Sequence, residues 1–158
     1  MSNFIGEYEC KVEVKGRIMF PAGFKKQLDP SAQEKFVVNR GFGKYLVLYP
    51  MNEWEKINEQ LTKLNMFVKK NRDFVRYFQR GAIQLTLDGT GRLLLPKRLL
   101  DYASIKKEVV LSSTPNGIEV WAKDLYEKFF DKEPEDYATL AEEVMGRIQN
   151  EDDKDDVS

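Results

Sequence analysis

Two arginines stand out in this chain because each follows a glycine and precedes three apolar residues and a proline. The first lies in GRIMFP, residues 16–21, and the second lies in GRLLLP, residues 91–96. A guanidinium can donate paired hydrogen bonds to phosphate oxygens or to O6 and N7 of guanine, and a glycine lets the backbone approach such a ligand. Arg17 and Arg92 are therefore candidates for contact with nucleic acid.

An acidic residue stands four positions before each arginine, Glu13 in the first stretch and Asp88 in the second. One interpretation is a local ion pair that only orders a turn. Exposed pairs of that kind contribute about 0–1 kcal/mol, which is a weak reason for the same pair to occur twice. We therefore predict that Arg17 and Arg92 contact DNA and that the acidic residues orient the two guanidinium groups.

The residues between acid and arginine predict a tight turn in both stretches. Gly16 stands in the first turn, and Gly89 and Gly91 make the bend in LDGTGRLLLP, since glycine adopts turn conformations at low steric cost. Lys15 occupies the position where the second turn has Thr90. It is either an additional phosphate contact, present in one copy only, or an ordinary surface lysine.

The two stretches belong to an internal repeat, because the same order of strand, turn, short amphipathic segment, strand, turn, strand and helix surrounds both. A unit of about 50 residues is too small to bury a good core alone, whereas two units can cover each other. The sequence predicts an α+β, β-rich fold in which two pseudo-symmetric units form a β-barrel-like module with flanking helices. The matching segments are 7–14 with 82–87, 22–28 with 97–103, 35–40 with 107–113, and 45–56 with 117–128.

Residues 51–80, between the two copies, have apolar residues at helical spacing. Phe74, Val75 and Phe78 are spaced for burial, so helix packing is favoured there over stacking of exposed rings on single-stranded bases. Basic residues also follow each strand–proline unit, and a solvated helix face is favoured for them over phosphate contact. They are Lys25, Lys26, Lys97 and Arg98.

Charge is distributed unevenly along the chain. Residues 131–158 hold 11 acidic and 3 basic residues, a net charge of −8, whereas residues 1–130 carry +7. A basic body suits a polyanionic partner. Residues 150–158 combine like charges with little apolar content, which predicts disorder.

Histidine is absent and Cys10 is the only cysteine, which excludes Ser-His-Asp and Cys-His catalysis and thiolate-rich metal sites. Glu13 and Asp88 hold equivalent rather than facing positions, so they do not form a catalytic carboxylate pair. DGTGR lacks the Gly-Lys-Ser/Thr ending of a phosphate loop. The sequence therefore predicts no enzyme, no metal, no cofactor and no small-molecule substrate, with Cys10 as a small strand residue.

The apolar runs are far shorter than the roughly 20 residues of a membrane span. The first residues, MSNFIGEYECK, lack the basic and long apolar regions of a signal peptide. A single cysteine fits a reducing compartment. We expect a cytoplasmic protein that makes no membrane contact.

Four segments resemble the MraZ family: FIGEYECKVEVKGRIMFPAGFKKQL, RGFGKYLVLYPMNEWEK, FVRYFQRGA and LDGTGRLLLPKRLLDYA. The resemblance implies two tandem AbrB-like (SpoVT-AbrB) domains with swapped hairpins. It also implies a nucleoid-associated bacterial repressor of the division and cell-wall gene cluster, which forms ring-like homo-oligomers and binds short direct repeats in double-stranded DNA upstream of its own gene. The family's acidic-x-x-x-Arg motif is matched by Asp88 and Arg92, whereas Glu13 precedes Arg17 where the family pattern has Asp.

The repeat and the resemblance together predict five segments. These are a first SpoVT-AbrB domain at 3–56, a helical bridge at 57–80, a second SpoVT-AbrB domain at 81–128, a C-terminal helical segment at 129–149 and an acidic disordered tail at 150–158. The alternative function is an AbrB-like protein-interaction module or antitoxin-type scaffold without this operator role.

Overall fold

The computed structural model of the chain describes residues 4–131 and 136–156, with side chains described as far as Arg147. Residues up to Leu125 form one compact unit, and residues from Tyr126 onward form a second. The strands are β1 (Glu7–Lys11), β2 (Arg17–Met19), β3 (Lys35–Arg40), β4 (Leu46–Pro50), β5 (Ile83–Thr86), β6 (Arg92–Leu94), β7 (Glu108–Thr114) and β8 (Gly117–Ala122). The α-helices are α1 (Ala22–Lys25), α2 (Met51–Thr62), α3 (Lys69–Gln79), α4 (Lys97–Tyr102), α5 (Lys123–Asp131) and α6 (Tyr137–Asp156).

Six strands form one antiparallel sheet in the order β1-β7-β8-β4-β3-β5. The order reads the same from either edge once each strand is replaced by its counterpart in the other copy, because β1 corresponds to β5, β3 to β7 and β4 to β8. The central pairing joins Leu46 to Val120 and Leu48 to Ile118. The two copies of the internal repeat are therefore related by a pseudo-two-fold axis that passes between β4 and β8.

Each copy places its first strand in the other copy's part of the sheet. Strand β1 hydrogen-bonds to β7, and β5 hydrogen-bonds to β3. The remaining strands, β2 and β6, form a separate antiparallel ribbon in which Ile18 stands opposite Leu93. Together with β4–β8, four pairings join the two copies, which are therefore intertwined rather than packed as two finished domains.

The prediction of a mixed, β-rich fold is confirmed, but the prediction of a barrel is wrong, because the described strands form an open sheet and a ribbon. Strands β1 and β5 remain edges of the sheet. Strands β2 and β6 are only three residues long, and Pro21 and Pro96 follow them as the caps of α1 and α4. Proline has no N–H with which to extend a ladder, so the ribbon strands are too short to connect the two edges.

The core lies on one face of the sheet, because successive side chains of a strand point to opposite faces. The inward pairs of the four central strands are Phe36 with Val38, Leu46 with Leu48, Val109 with Leu111, and Ile118 with Val120. Ile18 and Leu93 from the ribbon and Phe24 and Leu99 from α1 and α4 belong to the same buried cluster. The ribbon is thus fixed to the core through its inner face.

The aromatic residues of α3 pack less completely than their spacing predicts. Trp54 of α2 stacks on Phe78 with ring centres 5.7 Å apart, and Phe78 stacks on Phe74 at the same distance. No residue of α3 is buried, and Phe74 is 45% exposed. The predicted burial is wrong for Phe74. The ring that α2 supplies, Trp54, stacks on Phe78, and Phe74 stacks in turn on Phe78 of its own helix.

Helix α6 continues through residues 150–156, where the sequence predicted disorder. The helix extends this far because the segment after Gly146 contains neither glycine nor proline to end it. Residues 157–158 of the predicted tail lie outside the described residues.

Replacing Ile18 by alanine should lower the free energy of unfolding by about 2–5 kcal/mol, because it leaves a cavity at a fully buried position. Met19 is the matched control, since it is the next residue of β2 and is 42% exposed. Met19→Ala should change the same quantity by less than about 1 kcal/mol. Chemical denaturation followed by circular dichroism measures both, and equal losses would contradict this account of the ribbon.

Candidate nucleic-acid interface

The two glycine–arginine turns have the same backbone hydrogen bonds. In the first turn, the Glu13 N–H donates to the Arg17 carbonyl over 2.7 Å, and the Gly16 N–H donates to the Glu13 carbonyl over 3.1 Å. In the second turn, the Asp88 N–H donates to the Arg92 carbonyl over 2.9 Å, and the Gly91 N–H donates to the Asp88 carbonyl over 3.0 Å. The repeat found in the sequence is therefore a repeat of one turn geometry.

Glycine is required at one equivalent position of each turn. Gly16 has φ 87° and Gly91 has φ 80°, a left-handed conformation that favours glycine. A Cβ on Gly16 would also lie 2.7 Å from the Leu95 carbonyl oxygen. Gly89 has no positive φ and stands where the first copy has Val14, so the bend predicted for two glycines depends on Gly91.

The two acidic side chains have different partners. In the second turn Oδ1 of Asp88 accepts hydrogen bonds from the Thr90 N–H (2.8 Å), the Thr90 hydroxyl (2.6 Å) and the Arg92 N–H (3.0 Å). These bonds, with that from the Thr90 hydroxyl contributing most, lower the pKa of Asp88 to about 2. Asp88 therefore orders its own turn and binds the backbone of Arg92 rather than its guanidinium.

Glu13 instead reaches across to the other copy. Its Oε2 accepts a hydrogen bond of 2.6 Å from Nε of Arg92, 79 residues away. This bond lowers the pKa of Glu13 and raises the pKa of Arg92. The predicted pairing of each acid with the arginine four residues later is not what the structure shows. Glutamate has one more methylene than aspartate, and that length lets it span the ribbon.

Arg17 has the opposite arrangement, because it forms no ion pair with any residue in the described part of the chain. Its charge still lowers the pKa of both Glu13 and Asp88, so it lies near both carboxylates. Lys15 is exposed and left-handed, with φ 65°. One arginine of the ribbon is thus neutralised by a carboxylate, and the other is available to a ligand.

The register of the ribbon brings both arginines to one face. Arg17 stands opposite Leu94, and Met19 stands opposite Arg92. Side chains directly opposite each other in an antiparallel pair share a face, and diagonal neighbours such as Arg17 and Arg92 lie about 7–8 Å apart. Ile18 and Leu93 point to the core from the other face. We name the outer set Arg17, Met19, Arg92 and Leu94 the ribbon face.

Met19 and Leu94 are the ribbon-face residues that the sequence analysis did not select. Both are more than 40% exposed. The available signal was the alternation in GRIMFP and GRLLLP, where the middle of three apolar residues points inward and its neighbours point outward.

The four basic residues that follow the strand–proline units are all exposed. They are Lys25, Lys26, Lys97 and Arg98.

The described residues offer no centre for metal-dependent or thiol chemistry. They contain no group of three Asp, Glu, His or Cys that could hold a metal ion. Cys10 lies in β1, where burial raises the pKa of its thiol, so it is not an activated nucleophile. In the described part of the chain, no helix is long and apolar enough to span a membrane.

The fold and the ribbon define a class of protein in which two tandem copies of one unit exchange strands and present an arginine-bearing turn each. A family model described as "MraZ protein, putative antitoxin-like" matches this chain twice, over residues 3–77 and 78–148. The chain belongs to the MraZ family, as the sequence resemblance predicted. The first match contains α2 and all but the last two residues of α3, and the second contains α5 and part of α6.

Three curated relatives carry the name "Transcriptional regulator MraZ". The protein of Flavobacterium psychrophilum is 52% identical over 153 residues, 96% of this chain and 98% of its own length. That of Christiangramia forsetii is 50% identical over the whole of both chains, and that of Cytophaga hutchinsonii is 38% identical over 96% of this chain and all of its own length. This family is one of regulators and not of enzymes, which confirms the non-enzymatic prediction.

The folded-state pKa of Asp88, about 2, lies below its ordinary value of 3.8. Asp88 therefore stabilises the fold above pH 3.8, and this contribution disappears as pH falls through about 2. Asp88→Asn cannot titrate, so its melting temperature should fall less between these pH values than that of the unmodified chain. Thermal melts across the acidic range test this, with Asp101→Asn as the exposed control. An equal fall in melting temperature with pH for Asp88→Asn and the unmodified chain would contradict this role of Asp88.

Lys15 has a left-handed backbone that costs a non-glycine residue about 1–2 kcal/mol. Asparagine tolerates this conformation better than glutamine. Lys15→Asn should therefore have a free energy of unfolding about 0.5–1 kcal/mol higher than Lys15→Gln, although both remove the same charge. Urea denaturation measures the difference, and identical stabilities would show that the turn carries no strain at Lys15.

Proposed function

We propose that this chain is a DNA-binding transcriptional regulator that contacts DNA with the ribbon face. One observation carries the proposal: the two copies place Arg17 and Arg92 together on the outer side of one two-stranded ribbon. The names of the three relatives support a role in transcription. The net charge of +7 in residues 1–130 gives this part of the chain a general attraction for phosphate.

The ribbon face has the shape and chemistry of a major-groove reader. The major groove of B-DNA, about 12 Å wide, admits a two-stranded β-ribbon. Arg17 and Arg92 can each donate two hydrogen bonds to a guanine or to a phosphate. Met19 and Leu94 lie beside them and can contact the methyl group of thymine. The side chains thus supply both hydrogen bonding and apolar contact to base edges.

The two copies contact DNA differently in this proposal. Arg17 is available at once, whereas Arg92 exchanges the Glu13 carboxylate for a base or phosphate when DNA binds. Glu13 lies beside Arg92 and repels incoming phosphate, so it is a competitor at the second copy. Lys15 adds a positive charge to the first turn, where the second has Thr90. The first copy is therefore the stronger anchor.

The proposal extends to the target genes, the site on DNA and the oligomer. The protein represses the division and cell-wall gene cluster by covering short direct repeats in the promoter upstream of its own gene, in the cytoplasm and associated with the nucleoid. A ring-like homo-oligomer would engage several repeats at high effective concentration, which compensates for the small ribbon of each subunit. The exchange of β1 and β5 between copies supports AbrB-like swapped hairpins, with domains at 3–56 and 81–128.

An antitoxin-type interaction module is the second candidate. It is favoured by the description of the family and by exposed aromatic rings away from the ribbon, such as Phe42 and Tyr77. The two functions differ in what the ribbon face does, because an interaction module needs neither Arg17 nor Arg92 for its partner. DNA affinity of the arginine variants separates the two candidates.

Arg17→Gln should weaken binding to the DNA upstream of the gene by about 10–100-fold, since a bidentate arginine contact contributes about 1–3 kcal/mol. Arg92→Gln should weaken it less, because the wild-type arginine must first leave Glu13. Glu13→Gln should strengthen binding, since it removes a competing negative charge. Fluorescence anisotropy with labelled duplex measures all three affinities over a series of salt concentrations.

Lys63→Gln is the matched control, because Lys63 is an exposed cation at the end of α2. It should leave affinity unchanged, and thermal melts should show that every variant is folded. The affinity of the unmodified chain should fall log-linearly with salt concentration. Normal binding by both arginine variants would contradict the proposed interface, and no binding by the unmodified chain would contradict the proposed function.

A further inference from the structure

Three arginines surround a cleft of about 210 Å³ that the proposed function does not use. Arg40 ends β3, Arg80 follows α3, and Arg98 lies in the first turn of α4. The cleft is at the opposite end of β5 from the turn that carries Arg92. We name it the arginine cleft; Gly81, Leu99 and Tyr102 complete its lining.

The arginine cleft has a surplus of positive charge. None of its lining residues is acidic, and none of the three arginines forms an ion pair within the described part of the chain. Like charges held around one small space repel each other, and an anion between them removes that repulsion. Arginine is the side chain best suited to bind a phosphate there, because its planar group donates paired hydrogen bonds.

Arg40 is held in place by its surroundings. Its Nη2 donates to the Tyr77 carbonyl, and its guanidinium carbon lies 5.6 Å from the centre of the Tyr102 ring. The Tyr102 hydroxyl lies 3.0 Å from the Gly43 carbonyl, to which it donates. A Cβ on Gly81 would lie 2.8 Å from Cγ of Arg40, so the absence of a side chain there makes room for the arginine.

Arg40 also has an unsatisfied donor. Its Nε is buried and has no hydrogen-bond partner among the described residues. Buried donors without a partner are rare in folded proteins. Because this Nε is closed to solvent, an anion in the arginine cleft would contact the outer nitrogens of the guanidinium groups, and the case for an anion depends on the uncompensated charge around the cleft.

The pseudo-two-fold axis provides an internal control. A shift of 75 residues relates Arg80 to Ile5 and Arg98 to Gly23, and the strand registers relate Arg40 to Ser113. At this second position the Gly6 N–H donates to the Ser113 hydroxyl over 3.2 Å, and the Ser113 N–H donates back to the Gly6 carbonyl over 3.0 Å. The fold is thus built there without any arginine, so the three arginines are not a requirement of the architecture.

A second cleft of about 280 Å³ adjoins the first and shares Arg40 and Tyr102 with it. Aromatic rings form most of its lining, namely Phe42, Phe74, Tyr77 and Phe78 together with Tyr102. Phe42 is 87% exposed, Tyr77 68% and Phe74 45%, and exposed apolar residues that lie together in this way are typical of a binding surface. Flat apolar walls next to a cationic cleft suit a ligand that joins a planar ring to an anionic group.

We propose that the two clefts form one binding site for a small phosphorylated compound with a planar ring, of which a nucleoside monophosphate is the simplest representative. Arg40, Arg80 and Arg98 bind the phosphate, and the aromatic cleft holds the ring. We assign the ligand the role of an effector, because the chain belongs to a family of regulators and the described residues that line the two clefts include no carboxylate, cysteine or histidine. The site goes beyond the proposed DNA contact and uses none of the ribbon-face residues.

Isothermal titration of the full chain without DNA tests the site, with adenosine monophosphate, adenosine and inorganic phosphate as probes. The monophosphate should bind saturably and about tenfold more tightly than either fragment, because it alone contacts both clefts. Arg80→Gln and Arg98→Gln should each weaken the affinity for adenosine monophosphate by about tenfold or more. Lys97 is the neighbouring exposed cation on α4, and Lys97→Gln should leave this affinity unchanged.

Phe42→Ala tests the aromatic cleft by itself. It should weaken the binding of adenosine monophosphate and leave the binding of inorganic phosphate unaltered. Absence of saturable monophosphate binding would overturn the proposal, as would binding that is lost in Arg17→Gln and kept in Arg98→Gln. Weakened DNA binding by Arg80→Gln and Arg98→Gln, without any monophosphate binding, would assign the cleft to DNA phosphates instead. These results do not depend on the DNA experiment, so failure of one proposal is distinct from failure of the other.

Discussion

The pairing of β2 with β6 is the constraint on which the rest of the structure depends. Three residues from each copy meet there, and the central pair, Ile18 and Leu93, is fully buried. Beyond this pair, the Leu95 N–H donates to the Gly16 carbonyl, and the Phe20 N–H donates to the Gly91 carbonyl. Inward burial of the middle residue fixes the register, and that register places both arginines outward.

Strand exchange makes this ribbon rigid. Because β1 and β5 each complete the sheet of the opposite copy, the turns that follow them are anchored at both ends: by the sheet before the turn and by the ribbon after it. A preorganised turn loses little conformational freedom on binding. The position near β5 holds the arginine cleft, whereas its counterpart near β1 is closed by the hydrogen bonds between Gly6 and Ser113.

The sequence was informative where the structure is local. Two copies of Gly-Arg predicted two equivalent turns. The alternation of apolar residues that separates inward Ile18 from outward Met19 was present in the sequence, but the prediction did not use it. Contacts that depend on register were out of reach, because Glu13 and Arg92 are 79 residues apart and meet only through the ribbon. The open sheet was missed for a similar reason, since the lengths of β2 and β6 and not their pattern decide whether a barrel closes. DNA contact by Arg17, Arg92 and Lys15 stays a prediction.

Hydrogen exchange of backbone amides, measured with and without the DNA upstream of the gene, tests the central claim most directly. We expect slower exchange on binding in both turns and in the ribbon, residues 13–19 and 88–94, with a smaller change in the second turn. Residues 40–44 and 79–82 should exchange at the same rate in both states. Protection confined to regions outside the ribbon, or to one turn alone, would contradict the claim that the two copies form a single DNA-reading surface.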